Sequence, residues 1–348
     1  MMTVLRSLLL VSTLTPVTFP GVQPQLAASR QRVGLVFGQG GKIHFALSRD
    51  AGRSFSTPVA VPSRGRLALG RHRGPRIALT DDAIVITAIL GDGPQDGDLF
   101  AWRSVDDGRS WSDPRQLNLV PASAREGLHA TAAAGGAMVA AWLDLRSHGT
   151  QVYAAVSRDA GVTWSQDQMV YQSPSGSICE CCHPSVAVSA TGEIAVMFRN
   201  RLAGARDLYL VRSQDAGRTF GSALKLGQGT WPLEACPMDG GALAFGADDR
   251  LTTVWRRGDD VLLAQPGGTE QRLGTGRDPA LAVSGDGTRY AVWRGDEGLV
   301  VVDSRKSETR PLSAGAQAPV LLALADGRVL AAWERAGQVE VSAVSGAA

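Results

Sequence analysis

The residue types with the most chemistry in this chain are its four cysteines, Cys179, Cys181, Cys182 and Cys236. Three sit in Cys179-Glu-Cys-Cys-His183 and the fourth ends Trp231-Pro-Leu-Glu-Ala-Cys236. An even number of cysteines in an exported chain most simply means two disulfides, here stapling one segment to the other. Cys181 and Cys182 are poor partners for each other, because a ring closed by adjacent cysteines is strained. A second reading adds His183, His129 and Met238 to the thiols and makes a soft-metal site for copper or zinc. The Cys-x-Cys-Cys-His spacing reproduces no zinc signature. The third reading is a reactive thiol.

Arginines are the next candidates. The only lysines are Lys42, Lys225 and Lys306, so basic charge is nearly all guanidinium. Arg199, Arg256 and Arg294 each follow the aromatic that ends an apolar run (Phe198, Trp255, Trp293), so they occupy equivalent positions. Three planar forks converging on one place would clamp a carboxylate or sulfate. On that reading Arg199→Ala abolishes ligand binding and leaves stability nearly unchanged. The alternative is solvated strand ends, or ion pairs with Asp259, Asp260 and Asp296. Asp144 and Glu126 would form a general acid and base only if buried side by side; surface placement is the alternative.

What must position these residues is a repeat. The octapeptides Ser48–Phe55, Ser104–Trp111, Ser157–Trp164 and Ser213–Phe220 share a Ser-x-Asp-x-Gly-x-Ser/Thr-aromatic pattern, their aspartates stepping by 56, 53 and 56 residues. Asp can bond to the backbone that follows it, Gly takes positive φ, and the aromatic plugs an apolar face, which describes a hairpin turn. A second landmark, x-Pro-x-apolar, recurs at Gln23-Pro, Gly74-Pro, His183-Pro, Cys236-Pro, Asp278-Pro and Ala318-Pro, with His129-Ala in the remaining slot. That makes seven units of short apolar runs separated by Gly/Asp turns, without helical periodicity. The fold class is all-β: a propeller of four-stranded antiparallel blades, seven by this count. The last two units lack the octapeptide and are shorter, which predicts trimmed third and fourth strands.

Propeller topology gathers the unusual segments on one rim. Loops entering each blade carry Arg71-His-Arg-Gly74, Arg125–His129, Cys179–His183 and Trp231–Cys236. Loops between second and third strands carry Asp144-Leu-Arg146, Arg199-Asn-Arg201, Arg256-Arg257, Arg294 and Glu334-Arg335.

The octapeptide resembles the Asp-box, or bacterial neuraminidase repeat, of sialidase-like propellers, over about residues 23–230. That resemblance implies a six-bladed arrangement as the alternative to seven, and an anionic glycan as ligand. Arg73-Gly-Pro75 is similar to the family's Arg-Ile-Pro element, which adds Arg73 to the anion set. His183 through Arg199 is similar to the blade that opens on the Glu activating the family's Tyr nucleophile, but His183 stands at the Glu position. The only tyrosines, Tyr153, Tyr171, Tyr209 and Tyr290, fall within expected strands, so the retaining hydrolysis has no evident machinery.

Net charge is +2 at pH 7, which implies neither nucleic acid nor an anionic membrane as partner. Residues 1–20 read as a secretory signal, with Arg6 ahead of apolar Leu8–Leu14 too short to span a bilayer. Residues 21–348 then form one domain, secreted or periplasmic. Thr15–Phe19 would suit the strand that closes blade seven, which conflicts with cleavage near residue 20. Three functions follow from the residues: an anionic-glycan propeller that binds or cleaves at an arginine-lined funnel, a metal-binding propeller, and a scaffold whose rim takes another envelope protein.

Overall fold

The computed structural model describes residues 16–93, 95–306 and 308–344. It is a seven-bladed propeller of four-stranded antiparallel blades, so the six-bladed alternative is set aside. From the inside outward, blade one comprises Val22–Ser29, Arg32–Gln39, Lys42–Ser48 and Val59–Ala60. Blade two has an interrupted inner strand, Arg66–Leu67 and Arg76–Leu79, both paired with Ile84–Gly91, followed by Asp98–Ser104 and Arg115–Gln116. The inner strands of blades three to seven are His129–Ala134, Ser185–Val188, Ala242–Phe245, Arg277–Val283 and Gln317–Ala323. They form a closed ring around the axis, the seventh packing on the first.

Val17–Pro20 is the outermost strand of blade seven, pairing with Gln338–Val341. Chain start and chain end thus share one sheet, which leaves no exposed seam in the ring. Of the segment expected to be a leader, residues 1–15 lie outside the described residues, and 17–20 belong to the propeller.

The four Asp-boxes form the turns between third and fourth strands of blades one to four. In the first, Ser54 N and Oγ donate to the two oxygens of Asp50 at 2.9 and 2.6 Å, and Gly52 N donates to Ser48 Oγ at 2.8 Å. Asp106, Asp159 and Asp215 repeat this. The box glycine has a second task. A Cβ on Gly108, at φ +81°, would stand 2.3 Å from a ring carbon of Phe45 in the preceding blade. Each box therefore also seals a joint between blades.

Two expectations are corrected here. Blades five to seven all lack a box, yet their outer strands, Gln271–Thr275, Arg310–Ala314 and Val17–Pro20, are longer than the two-residue outer strands of blades one, two and four. The shorter units lose the box, not the strands. Blade five, moreover, begins at Gly241-Ala242, not at Cys236-Pro237. The position opposite the second-strand aromatic is Pro24, His129, Pro184, Pro279 and Pro319 in other blades, and Gly241 faces Trp255. Those aromatics, Phe37, Trp142, Phe198, Trp255, Trp293 and Trp333, are all buried between blades, each contributing about 2–3 kcal/mol by area.

Candidate functional site

The starts of the seven inner strands surround the mouth of the axial channel, a funnel of about 250 Å³. Its polar side chains are Gln23, Gln25, His72, Arg76, Thr131, His183, Ser185 and Asp278, while further down the wall is mostly alanine, valine and leucine. Several mouth residues have non-glycine backbone in the left-handed region: Gln23 (φ 57°), His72 (59°), Met238 (53°), Asp278 (57°) and Ala318 (51°). In blades one, six and seven the strained residue precedes a proline and sits in a β-bulge. Bulges re-aim side chains, and strain of this kind persists where the surroundings enforce it. Here it sets Gln23 and Asp278 on the funnel wall.

Asp278 organises the mouth. Its nearly buried carboxylate accepts from Arg71 Nη2 at 3.1 and 3.3 Å, lies 3.0 Å from His72 Nε2 and pairs with Arg294 Nε at 3.5 Å. Burial alone would raise its pKa, but His72, Arg71 and Arg294 hold it far below the usual carboxylate range. The Asp278 backbone N–H donates to Asp239 Oδ2 at 2.9 Å, which ties blade six to the loop entering blade five. Against His72 stacks the ring of His183, centroids 4.2 Å apart. His183 Nε2 is 3.2 Å from the Gly241 carbonyl, and burial with the nearby His72 and Arg76 charges pushes its pKa well down. It is therefore neutral at pH 7. Gly240 presses so close that a Cβ there would lie 1.9 Å from the His183 carbonyl oxygen.

The four arginines expected to bind an anion have separate fates. Arg294 reaches the mouth. Arg199 is 1 % exposed, its Nε, Nη1 and Nη2 donating to the carbonyls of Asp239, Arg206 and Arg256 at 2.8, 2.5 and 3.0 Å. It offers no face to a solute. Arg256, also buried, donates to the Gly258 carbonyl at 2.6 Å and shares the Trp231 ring with Arg199. Arg73 donates to the Glu126 carbonyl at 2.7 Å and lines a separate groove with Arg66 and Arg125. Asp144 is fully buried but is held by Ser123, Trp142 and Arg146, and Glu126 lies apart from it beside Arg73. The four tyrosines all lie in strands, as expected, and none lines the funnel.

The residues missed from sequence were Arg71, His72, Arg76 and Asp278 in their roles. The first two lay in a rim segment already marked as unusual, and Asp278 was legible only as a strand-start landmark. Arg76 is nearly buried and donates to the carbonyls of His72, Gly74 and Pro75, bracing the interrupted inner strand of blade two.

The sulfurs lie behind this wall. Cys181 and Cys236 form a disulfide that staples the loop entering blade four to the loop entering blade five, one bridge where the sequence suggested two. Cys179 and Cys182 are free and buried, Sγ to Sγ 2.9 Å. Of the metal set considered from sequence, the three sulfurs of Cys179, Cys181 and Cys182 gather within 4.8 Å. His183 stacks on His72 instead, and His129 Nε2 faces Thr87. The Cys179 and Cys182 thiols share a hydrogen bond, and that contact with the Arg206 and Arg199 charges lowers the Cys179 pKa to about 7, against the opposing effect of burial. No helix among the described residues is long and apolar enough to cross a membrane.

Part of the chain matches a known repeat family. A BNR repeat-like domain matches residues 91–228, a span holding the boxes of blades two, three and four. The chain thus carries BNR repeat-like sequence in part of a seven-bladed propeller. No curated protein matches it. Among solved structures, the chain is similar to an ulvan lyase bound to a glucuronate–rhamnose-3-sulfate oligosaccharide, at 12 % identity and TM-score 0.58 over 96 % of both chains. It is similar to a virginiamycin B lyase from Staphylococcus aureus, at 12 % identity and TM-score 0.57 over 94 % of this chain and 97 % of that one. It is also similar to an α-L-arabinanase from Penicillium chrysogenum complexed with arabinobiose, at 14 % identity and TM-score 0.53 over 95 % and 98 %. Likeness at these identities is likeness of fold.

Proposed function

We propose that this is an exported BNR propeller that binds an acidic saccharide at the mouth of its axial channel. The observation that carries the reading is the Asp278 cluster: two partly exposed guanidinium groups, Arg71 and Arg294, held by one carboxylate on the funnel wall beside two imidazoles. A carboxylate or sulfate of the ligand takes the outer faces of the two forks, as planar guanidinium favours. The aliphatic channel below accepts the apolar face of a sugar ring. Export is supported by the disulfide, which suits an oxidising compartment.

Calorimetric titration with sialyllactose and a glucuronate oligosaccharide, against their neutral counterparts, tests it. Acidic ligands bind and neutral ones bind at least about tenfold more weakly, roughly 1.4 kcal/mol or more for the charge. Joint Arg71→Ala and Arg294→Ala replacement removes that preference. Equal binding by parent and double variant would sink the reading, and a mouth that binds no saccharide would leave the rim as a surface for an envelope protein.

One observation favours chemistry at the same place. His72, its Nε2 held 3.0 Å from buried Asp278, is an imidazole oriented by a carboxylate, and in its neutral form Nδ1 is the nitrogen left to take a proton. With no tyrosine at the mouth, this supports removal of the proton beside a uronate carboxylate and loss of the glycosidic oxygen, an elimination rather than a hydrolysis. An unsaturated uronate product, absorbing in the ultraviolet and absent with His72→Ala, is the expected result. Saturated products or none would rule it out.

A further inference from the structure

Glycan binding leaves the sulfur cluster without a task. Cys179 Sγ is 3.6 Å from Cys181 Sγ, and Cys181 Sγ is 4.0 Å from Cys182 Sγ. Thiolates on a soft cation at about 2.3 Å lie roughly 3.7–4.0 Å apart, so one of the three edges already has that spacing and a second falls just short of it. The third, Cys179 to Cys182, is shorter at 2.9 Å, and a cation between them would spread it.

The surroundings point the same way. Among the described residues, eight buried side-chain polar atoms have no partner, and four of these belong to groups on or beside the cysteine loops: Glu180 Oε2, His183 Nδ1, Arg206 Nη1 and Asp239 Oδ1. Unmet buried groups are costly. Two of the four residues act on the sulfurs directly, Arg206 through its charge on Cys179 and Asp239 through its backbone N–H on Cys182. The Arg199 and Arg206 charges act on Cys179 and offset the excess negative charge that three or four thiolates leave around a monovalent or divalent ion.

Cys181 cannot serve as ligand while bonded to Cys236. We infer that Cys179, Cys181 and Cys182 form a thiolate site for a soft cation, Cu⁺ or Zn²⁺, which the Cys181–Cys236 disulfide closes and thiol reduction opens. Cys236 is exposed, so an incoming dithiol reaches it first. One thiolate of the reductant attacks Cys236 Sγ, the S–S bond breaks and its electron pair leaves on Cys181 Sγ. The reductant's second thiolate then displaces Cys236, and the reductant departs as a disulfide. Metal binding releases the thiol protons. The inference stands on the sulfur geometry and is independent of what the funnel binds.

The test uses the full chain with a phosphine reductant, which is a weaker competitor for metal than a dithiol, and titrates Cu⁺ and Zn²⁺ separately under anaerobic conditions with a chromophoric competitor and native mass spectrometry. The oxidised chain retains less than about 0.1 equivalent and the reduced chain one equivalent. Cys236→Ser takes one equivalent of Cu⁺ once Cys179, Cys181 and Cys182 are in the thiol state. Retention of Zn²⁺ by the reduced parent but not by Cys236→Ser identifies a four-thiolate zinc site; Cu⁺ retained by both identifies a three-thiolate copper site. Cys182→Ser lowers affinity at least a hundredfold. A reduced parent with four alkylatable thiols and no metal overturns the inference, as does equal uptake by oxidised and reduced chains. Should Cys236→Ser fail to fold, the parent in its two redox states carries the same decision.

Discussion

Replacing Arg199 by alanine separates a ligand-binding arginine from a structural one. From sequence alone the change removes binding and spares stability; the burial of Arg199 predicts the opposite on both counts. The guanidinium is buried, with three nitrogens on three carbonyls from three segments: Asp239 in the loop entering blade five, Arg206 in the loop after Arg199 itself, and Arg256 at the end of blade five's second strand. Truncation deprives those carbonyls of a charged donor and leaves a cavity under Trp231. A buried group losing a charged partner costs about 1–3 kcal/mol. Water entry recovers part of that sum, which leaves a net loss of about 3–5 kcal/mol. Unfolding entropy near 2.1 cal/mol/K per residue over about 330 residues is roughly 0.7 kcal/mol/K, so the thermal midpoint falls by about 4–7 °C.

Scanning calorimetry reads the shift. Arg199→Lys recovers only a minor part, because one ammonium on a flexible stem cannot span three carbonyls fixed in a plane. Saccharide affinity, measured well below the transition, stays within about twofold, or roughly 0.4 kcal/mol. A midpoint moved by less than about 1 °C together with lost binding would refute the structural assignment and return Arg199 to the ligand set.

Gly108→Ala forces a Cβ against Phe45 at φ +81°; left-handed strain and overpacking together cost about 2–4 kcal/mol, and chemical denaturation should show it, whereas Gly135→Ala, in a turn with open space around it, should lose only the strain part. Deleting residues 1–20 removes the outer strand of blade seven and the Phe19–Phe37 stack, a loss of about 3 kcal/mol from its hydrogen bonds; amino-terminal sequencing of exported protein should accordingly find any leader cut before Val17, and a mature chain starting at Gly21 with an unchanged midpoint would count against the closing strand. The carboxyls of Asp106 and Asp159 are drawn to about 2, chiefly by the hydroxyls of Ser110 and Thr163. Because their folded values lie below the unfolded one, the stability they contribute is present above pH about 4 and lost as pH falls toward 2. Asp106→Asn should flatten that part of the midpoint-versus-pH curve, and an identical slope in the variant would disprove it.

The repeat, the blade count and the Asp-box turns were legible because they are written in local chemistry: alternating apolar runs, an Asp that bonds its own turn, a Gly at positive φ. Blade five's start was misplaced because Cys236-Pro237 imitates the x-Pro start, while the true one, Gly241-Ala242, was chosen by close packing of Gly240 on His183. The arginines show what sequence position cannot settle. Arg199, Arg256 and Arg294 are equivalent along their strands, yet one is caged by three carbonyls, one donates to the Gly258 carbonyl of its own turn and one pairs with Asp278. The difference lies in the loops around each, whose conformation no period constrains. Asp278 was hidden for a related reason: its backbone role in starting a strand gave no sign of how many cations its side chain would hold.

Those loops also join the two sites. The segment from Trp231 to Gly241 begins over Arg199 and Arg256, continues to the Cys236 staple, offers the Asp239 carbonyl to Arg199 and the Asp239 carboxylate to the Asp278 backbone, and ends with Gly240 against His183. Asp278 in turn fixes Arg71, His72 and Arg294. The disulfide therefore anchors the strut on which the funnel's charged cluster rests. Cutting it frees the strut at Cys236 but leaves Asp239 bonded to Arg199 and to the Asp278 backbone. Reduction should then weaken acidic-saccharide binding without abolishing it, whereas Asp239→Ala, which removes the brace on Asp278 directly, should weaken it in both redox states. A binding constant that follows the disulfide alone, indifferent to Asp239, would mean that the sulfurs act on the funnel by another route.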